Sequence, residues 1–489
     1  MAASFFVLVR ERAEQECRLS TFTRAILETR LFFVGGEYAP RMKVVILGAG
    51  TVGRSIAESL SNSRHVVTIV DRDPALSRKI DQELDVRAIT GLASQSMTLF
   101  QADVQSADLC LAVTGDDEVN IVAASLAKAM GARRSVARVY APVFRDLSTF
   151  DYESHFGIDR MISMEHLTAM EFARQIRNPG SVMVENFTRG ELEFLETTVS
   201  EQSPYINKSL KQLDLPKGVR IGSIARRGET WIATAGDKLE AADRVTLVGK
   251  REEVDEVSQI IQKESTPQLD VVIAGGGETG FHLASILERS HFNVLLVEES
   301  EERCQVLSRN LDHTTVIQAD ASSRTKLEEE RVGSADVFVV CTGDDENNIM
   351  VGVEGKDLGV STVMCVVSRP DYANVVANLG IDVRVSPRDV MARQVLNFLH
   401  TGPVVSRTML TGSSIGVYEL EVQEGSPATE HVLAKLPLPD ESLIAAVFHR
   451  DYVRVPGADD RLDPGDSVVA LIENSVVEAT LEQFSVNGR

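Results

Sequence analysis

Aromatic side chains are scarce: 5% of the 489 residues, with a single tryptophan. So few flat rings leave little for single-stranded bases to stack on. Basic residues are outnumbered, 50 Lys and Arg against 72 Asp and Glu, giving a net charge of −22, and no Lys/Arg-rich run offsets it. A surface of that sign repels phosphate backbones, so nucleic acid is not an expected partner. Cysteine is also sparse. Cys17, Cys110, Cys304, Cys341 and Cys365 are odd in number, widely spaced and without a CxxC pair, which points to neither a disulfide framework nor a zinc site. No apolar run approaches the ~18 residues of a membrane-spanning helix. The short run Phe5–Val9 leads into Arg10-Glu11-Arg12, the wrong flank for a signal peptide. The expectation is a cytoplasmic protein that can still dock as a peripheral subunit on a membrane partner.

What is present is ordinary globular material, 43% hydrophobic and 25% charged. At roughly 150 residues per domain the length suggests about three domains. Residues 1–41 mix charged and apolar residues without a period. They end at Gly35-Gly36-Glu37-Tyr38-Ala39-Pro40, and a strand opens directly after Met42. They read as an extension, with Met42 as an alternative start.

The rest of the chain is written twice. Lys43 to Gly53 reads Lys-Val-Val-Ile-Leu-Gly-Ala-Gly-Thr-Val-Gly, and Asp270 to Gly280 reads Asp-Val-Val-Ile-Ala-Gly-Gly-Gly-Glu-Thr-Gly. Asp71 follows Gly48 by 23 residues, and Glu298 follows Gly275 by the same 23. Thr114-Gly115-Asp116-Asp117-Glu118 returns as Thr342-Gly343-Asp344-Asp345-Glu346, and Gly157-Ile158-Asp159 as Gly380-Ile381-Asp382. Agreement at so many points marks an internal duplication. In residues 42–160 and 268–385 short apolar strands alternate with helical patterns, which predicts parallel sheets covered by helices. An apolar-periodic helix follows each (within 161–180 and 386–403). Residues 181–263 and 404–489 open with short alternating strands and form small α+β lobes. The order is A-B-A-B, an α/β chain with two doubly wound parallel sheets.

A GxGxxG is weak evidence alone. Here Gly48, Gly50 and Gly53 lie between a strand and a helix, with an acid ending the next strand, and that context is the Rossmann dinucleotide fingerprint. The first glycine permits the turn, the second a close approach to pyrophosphate, the third tight helix–strand packing. Asp71 and Glu298 would accept hydrogen bonds from ribose hydroxyls, which favours NAD-type or adenosine ligands over a 2′-phosphate. Thr114-Gly115 and Thr342-Gly343 end the fourth strand of each sheet, beside the switch point. The acids Asp116, Asp117 and Glu118 resemble a metal cluster, but acids in a first helical turn are better read as caps. Arg138 ends the fifth strand, within reach either of phosphates or of a surface ion pair. Its counterpart is Val366, with Arg369 nearby, so the halves differ. No HExxH and no Ser-His-Asp spacing occurs among the nine histidines. His155, His166 and His282 read as helix-surface or interface residues rather than catalysts.

The fingerprint, Asp71, the stretch Thr114–Asn120 and the A-B-A-B layout together resemble the TrkA family, the cytosolic regulatory subunits of bacterial Trk potassium uptake systems. Val136-Ala-Arg138-Val-Tyr-Ala-Pro142, Asp344-Asp-Glu-Asn-Asn-Ile-Met350 and Ile381-Asp-Val-Arg-Val-Ser-Pro387 add to the likeness. It spans residues 42–489. The resemblance implies paired RCK N-lobes and C-lobes, no catalysis, and NAD(H) or ATP/ADP as ligands. It also implies a membrane potassium-translocating partner of Trk type, a homo-oligomer (dimer or tetramer), and a place at the inner face of the membrane.

By the same resemblance, the first site comprises Gly48, Ala49, Gly50, Thr51, Val52 and Gly53, together with Asp71, Thr114, Gly115 and Arg138. The second comprises Gly275, Gly276, Gly277, Glu278, Thr279 and Gly280, together with Glu298, Thr342 and Gly343. Tyr140 departs from the family, which often carries a second arginine there; Gly276-Gly277 and Glu298 mark a drifted second copy. The expectation is that the first lobe carries the switch and the second is mainly scaffold. The competing readings are an NAD-dependent oxidoreductase, for which no acid/base residue stands out in a substrate lobe, and a scaffold with vestigial pockets.

Overall fold

The protein is described by a computed structural model covering residues 41–146, 150–177, 193–263, 268–288, 292–398, 403–410, 413–449 and 452–485. The segment before Arg41, Cys17 and the Pro179-Gly180 pair lie outside these residues.

Six parallel strands open the fold: β1 (Lys43–Leu47), β2 (Val66–Asp71), β3 (Arg87–Thr90), β4 (Leu109–Ala112), β5 (Arg134–Arg138) and β6 (Arg160–Ile162), in the order β3-β2-β1-β4-β5-β6. Their continuous apolar runs reflect burial on both faces. All of β4 and four of the five residues of β1 are buried. The helices Thr51–Asn62, Pro74–Glu83, Ser96–Gln101 and Asp117–Ala129 connect them. Capping explains two of the starts: Asp73 accepts from the Ala75 amide ahead of Pro74, and Asp116 accepts from the Val119 amide. Because the strand order reverses between β1 and β4, a crevice opens above their carboxyl ends.

After the helix Met164–Arg177 comes an antiparallel sheet: β7 (Glu193–Thr198), β8 (Val219–Arg226), β9 (Glu229–Ile232) and β10 (Arg244–Gly249), in the order β7-β10-β8-β9. The doubly wound sheet then recurs as β11 (Leu269–Ala274), β12 (Phe292–Glu298), β13 (Thr315–Gln318), β14 (Val337–Val340), β15 (Thr362–Val366) and β16 (Val383–Val385), again in the order β13-β12-β11-β14-β15-β16. The helix Pro387–Asn397 leads to a final antiparallel sheet. It contains β17 (Val404–Met409), β18 (Ile415–Glu421), β19 (Ser442–His449), β20 (Tyr452–Arg454) and β21 (Ser467–Glu473), in the order β17-β18-β21-β19-β20. Strands β18, β21, β19 and β20 repeat the order of β7, β10, β8 and β9. The fold is therefore the duplicated, doubly wound α/β architecture that the sequence predicts.

The halves interlock. Helix Met164–Arg177 packs on Glu278–Leu287, the helix that follows the second glycine turn, and Pro387–Asn397 packs on Thr51–Asn62, the helix that follows the first. Below them the two antiparallel sheets share one core: Phe194, Ile232 and Val248 from the first pack with Val417, Ala446 and Leu471 from the second. The first doubly wound sheet also reaches the last antiparallel one. Arg160 Nη2 lies 2.7 Å from Glu419 Oε1, with Glu419 at 2% exposure. Arg134 donates from Nη1 to the Phe398 carbonyl at 2.9 Å and from Nη2 to that of Val404.

Candidate functional site

The glycine turn between β1 and the helix Thr51–Asn62 has the conformation the fingerprint requires. Gly48 adopts φ +114°, and a Cβ there would stand 2.9 Å from the Thr114 nitrogen and the Val113 oxygen. A Cβ on Gly53 would come 1.8 Å from the Gly48 oxygen. Substitution at either position breaks the turn rather than crowding it. Gly50 is different. It is the N-cap of the helix, no side chain caps it, and no atom lies within 4 Å of where its Cβ would point. The first turn of this helix contains no acid, so its open amides and positive end face the crevice unopposed.

Asp71 ends β2 beside this cradle. The Ala49 amide donates to its Oδ2 at 2.6 Å and the Asp73 amide to its Oδ1 at 2.8 Å. Glu298 repeats the arrangement, accepting from Gly276 at 2.7 Å and Ser300 at 2.9 Å. Both acids end the second strand of their sheet beside the crevice, and both brace their own glycine turns.

Sequence reasoning passed over the residue that holds the far wall. Asn120 is fully buried in the helix after β4. It accepts from the Thr114 amide at 2.8 Å and from the Thr114 hydroxyl at 2.7 Å, and donates to the carbonyls of Thr114 (3.1 Å) and Arg138 (2.9 Å). One amide thus ties the ends of β4 and β5 together. Asn348 repeats the set on Thr342 and Val366, which confirms Val366 as the counterpart of Arg138. The asparagine recurring in each Asp-Asp-Glu stretch was the available signal.

The acids of that stretch act on backbone amides. Asp116 caps its helix through the Val119 amide at 2.8 Å. Asp117 turns away and accepts from Tyr140 and Ala141, each at 2.9 Å. Asp345 does the same for Ser368 and Arg369. The Asp pair thus fixes the loop leaving the fifth strand as well as the helix start.

Arg138 is not on the surface. Its Nη2 lies 3.3 Å from Glu165 Oε1, at 19% and 12% side-chain exposure. Its buried Nε has no hydrogen-bond partner among the described residues. Beside it, the interface between the halves contains further buried polar groups. The rings of His166 and His282 meet edge to face at 5.0 Å, and His282 Nε2 lies 3.9 Å from Glu278 Oε2. Burial, reinforced by Arg145 and Arg303, pushes the His282 pKa down to about 4; burial, Arg145 and His282 hold His166 well below its usual value. Both rings are neutral at physiological pH. Of the three histidines named in the sequence, His166 and His282 sit in the interface, whereas His155 packs against Phe150 and Phe156.

The second glycine turn matches the first in backbone but not in charge. Gly275 has φ +106°, and Gly277 is an uncapped N-cap. The first helical residue is Glu278 where the first lobe has Thr51. Arg303 closes over it, donating from Nε to the Gly276 carbonyl at 2.6 Å and from Nη2 to Glu278 Oε1 at 3.0 Å. Arg303 was not anticipated from sequence. A cavity of about 270 Å³ opens here, lined by Gly275, Gly277, Glu298, Thr342 and Gly343 among others.

Comparison with known proteins agrees with this architecture. The TrkA-N domain model matches residues 44–163 and 271–387, and the TrkA-C domain model matches residues 194–262. The chain is 33% identical to a Trk system potassium uptake protein TrkA homolog of Archaeoglobus fulgidus, covering 91% of this chain and 100% of that protein. It is 31% identical to Trk system potassium uptake protein TrkA of Halomonas elongata, over 88% and 96% respectively. Among solved structures, the GsuK RCK domain superposes with a TM-score of 0.54 at 16% identity, covering 91% of this chain and 96% of that one. The GsuK channel bound to NAD gives 0.55 at 16%, covering 95% and 83%. Among the described residues no helix is long and apolar enough to cross a membrane.

Proposed function

The chain belongs to the TrkA family, and from that premise we propose that it is a nucleotide-sensing, non-catalytic subunit that regulates a membrane potassium-translocating partner of Trk type at the inner face of the membrane. Its ligand is NAD(H) or an adenine nucleotide such as ATP or ADP, and its working form is a homo-oligomer. The observation that carries this reading is the open phosphate cradle of the first lobe, an uncapped helix end at Gly50 with no acid in its first turn.

Bound nucleotide supplies negative charge and a ribose diol. The turn Gly48–Gly53 and the first amides of the helix then hold the phosphates, Asp71 takes the ribose, and Arg138 adds positive charge from the end of β5. Thr114 and Gly115 form the opposite wall, held by Asn120. A ligand moves the assembly only by binding one arrangement better than another. In support of a switch in the first lobe, β5 and β6 link it to the last antiparallel sheet through Arg134 on the Val404 carbonyl and Arg160 on Glu419.

Calorimetric titration of the full chain with NADH, NAD, ATP and ADP tests the reading. Competition between dinucleotides and adenine nucleotides for a site that Asp71→Ala removes supports it. Binding restricted to NAD and NADH, with turnover of a small substrate, would replace it with the oxidoreductase.

A further inference from the structure

The two fingerprint turns share a backbone and keep an acid at the ribose position, Asp71 and Glu298, but differ in charge at the positions around it. Strand registers fix the correspondence. Leu47 pairs with Val70 and Ala274 with Val297, so Glu298 and Glu299 stand where the first lobe has Asp71 and Arg72. Asp71 pairs with Thr90 and Glu298 with Gln318, so Asp320 stands where the first lobe has Leu92. At the head of the phosphate-facing helix, Glu278 replaces Thr51.

Three residues lining the second cavity are acidic and none is basic. Arg303, which closes over the turn, is already engaged by the Gly276 carbonyl and Glu278. The Oε2 atom of Glu278 is buried without a hydrogen-bond partner among the described residues. A carboxylate in the first helical turn weakens the positive end that a phosphate would need, and the three acids lining the cavity cost a phosphate about tenfold or more in binding at several Å. The features that read a nucleoside remain. Glu298 stands at the ribose position, and Asp320 offers a carboxylate acceptor for an exocyclic amine, its Oδ1 held by the Ser322 amide at 2.8 Å and the Ser322 hydroxyl at 2.7 Å. At about 270 Å³ the cavity lies just below the roughly 300–1,000 Å³ typical of ligand pockets, room enough for one nucleoside.

We propose that the second pocket is a nucleoside site selective against phosphate: it takes adenosine or an adenosine-type ligand without a phosphate chain, while the first lobe takes the nucleotide. This rests on reading the first lobe as the nucleotide site.

The test is calorimetry on the full-length Asp71→Ala chain, which weakens the first site by at least about tenfold, with adenosine, AMP, ADP and NAD as ligands. The expected result is one adenosine per chain, about tenfold weaker binding of AMP, and ADP weaker again. Adding Glu298→Ala removes adenosine binding. Adding Glu278→Thr instead, the first-lobe residue at that position, brings ADP to within a few-fold of adenosine by removing the carboxylate and releasing Arg303. ADP or NAD binding as tightly as adenosine to a site sensitive to Glu298→Ala overturns the proposal, as does no adenosine binding. Persistence of nucleotide binding that responds to neither Asp71→Ala nor Glu298→Ala is a separate failure, that of the first-lobe reading.

Discussion

Asp71 and Ala49 are joined by a 2.6 Å hydrogen bond from the Ala49 amide to the Asp71 carboxylate, so the acid proposed to read the ribose also holds the glycine turn proposed to carry the phosphates. Removing it strikes both functions at once. Asp71→Ala is expected to weaken NADH and ATP binding by at least about tenfold, in line with the 1.5–3 kcal/mol of a hydrogen bond to a charged group. Glu298→Ala leaves nucleotide binding and the nucleotide response nearly unchanged. Titration of both variants checks this, and equal effects would contradict the assignment of the switch to the first lobe.

The Asn120 side chain is buried and saturated with hydrogen bonds. Asn120→Ala leaves the Thr114 amide and the Arg138 carbonyl without their partner, at a cost of about 1–3 kcal/mol for each buried group stranded. Urea denaturation should show the loss, and nucleotide affinity should fall with it. Asn348→Ala is expected to cost similar stability without changing nucleotide affinity.

Acid should loosen the interface between the halves. The His282 pKa falls from 6.5 to about 4 in the folded chain, because burial, together with the nearby Arg145 and Arg303, opposes its charge despite Glu278 at 3.9 Å. A depressed folded pKa means that the unfolded chain takes up the proton first. The stability is therefore complete above about pH 6.5 and is lost as pH falls toward about 4. Shifts of this size correspond to roughly 3 kcal/mol. A melting series across that window should show the slope, and His282→Asn should flatten it; an unchanged slope would mean that other groups set the acid limit.

Arg160 and Glu419 link the first doubly wound lobe to the last sheet at 2.7 Å, with the carboxylate nearly sealed from solvent. Arg160→Ala removes the cation paired with this buried carboxylate, to which the Ser467 hydroxyl still donates at 3.0 Å, and should cost about 3 kcal/mol. Nucleotide binding at the first lobe should survive while its effect on potassium uptake falls. Denaturation, titration and flux measured together separate these outcomes.

The duplication, both parallel sheets and the fingerprint turns were legible in the sequence because each rests on local signals: unbroken apolar runs, glycines at fixed offsets, and acids ending β2 and β12. Interactions between distant segments were not legible. Arg303 meets the second turn only because the helix that carries it folds back over Gly276, and nothing near Gly276 announces it. The partnership of Arg138 with Glu165 depends on how the helix after β6 folds back over β5, and that of His166 with His282 on how one half docks on the other, relationships with no periodic trace. Asp117 read as a helix cap because it opens a helix. Its actual partners, the Tyr140 and Ala141 amides, lie a full strand away.

The most direct test of the central claim is potassium flux through the membrane partner, reconstituted with the wild-type chain or with Asp71→Ala, as NADH and ATP are varied. The account predicts that nucleotide changes the flux with the wild-type chain and that Asp71→Ala abolishes most of this response while the protein still folds and associates. A nucleotide response of equal size with Asp71→Ala would contradict it.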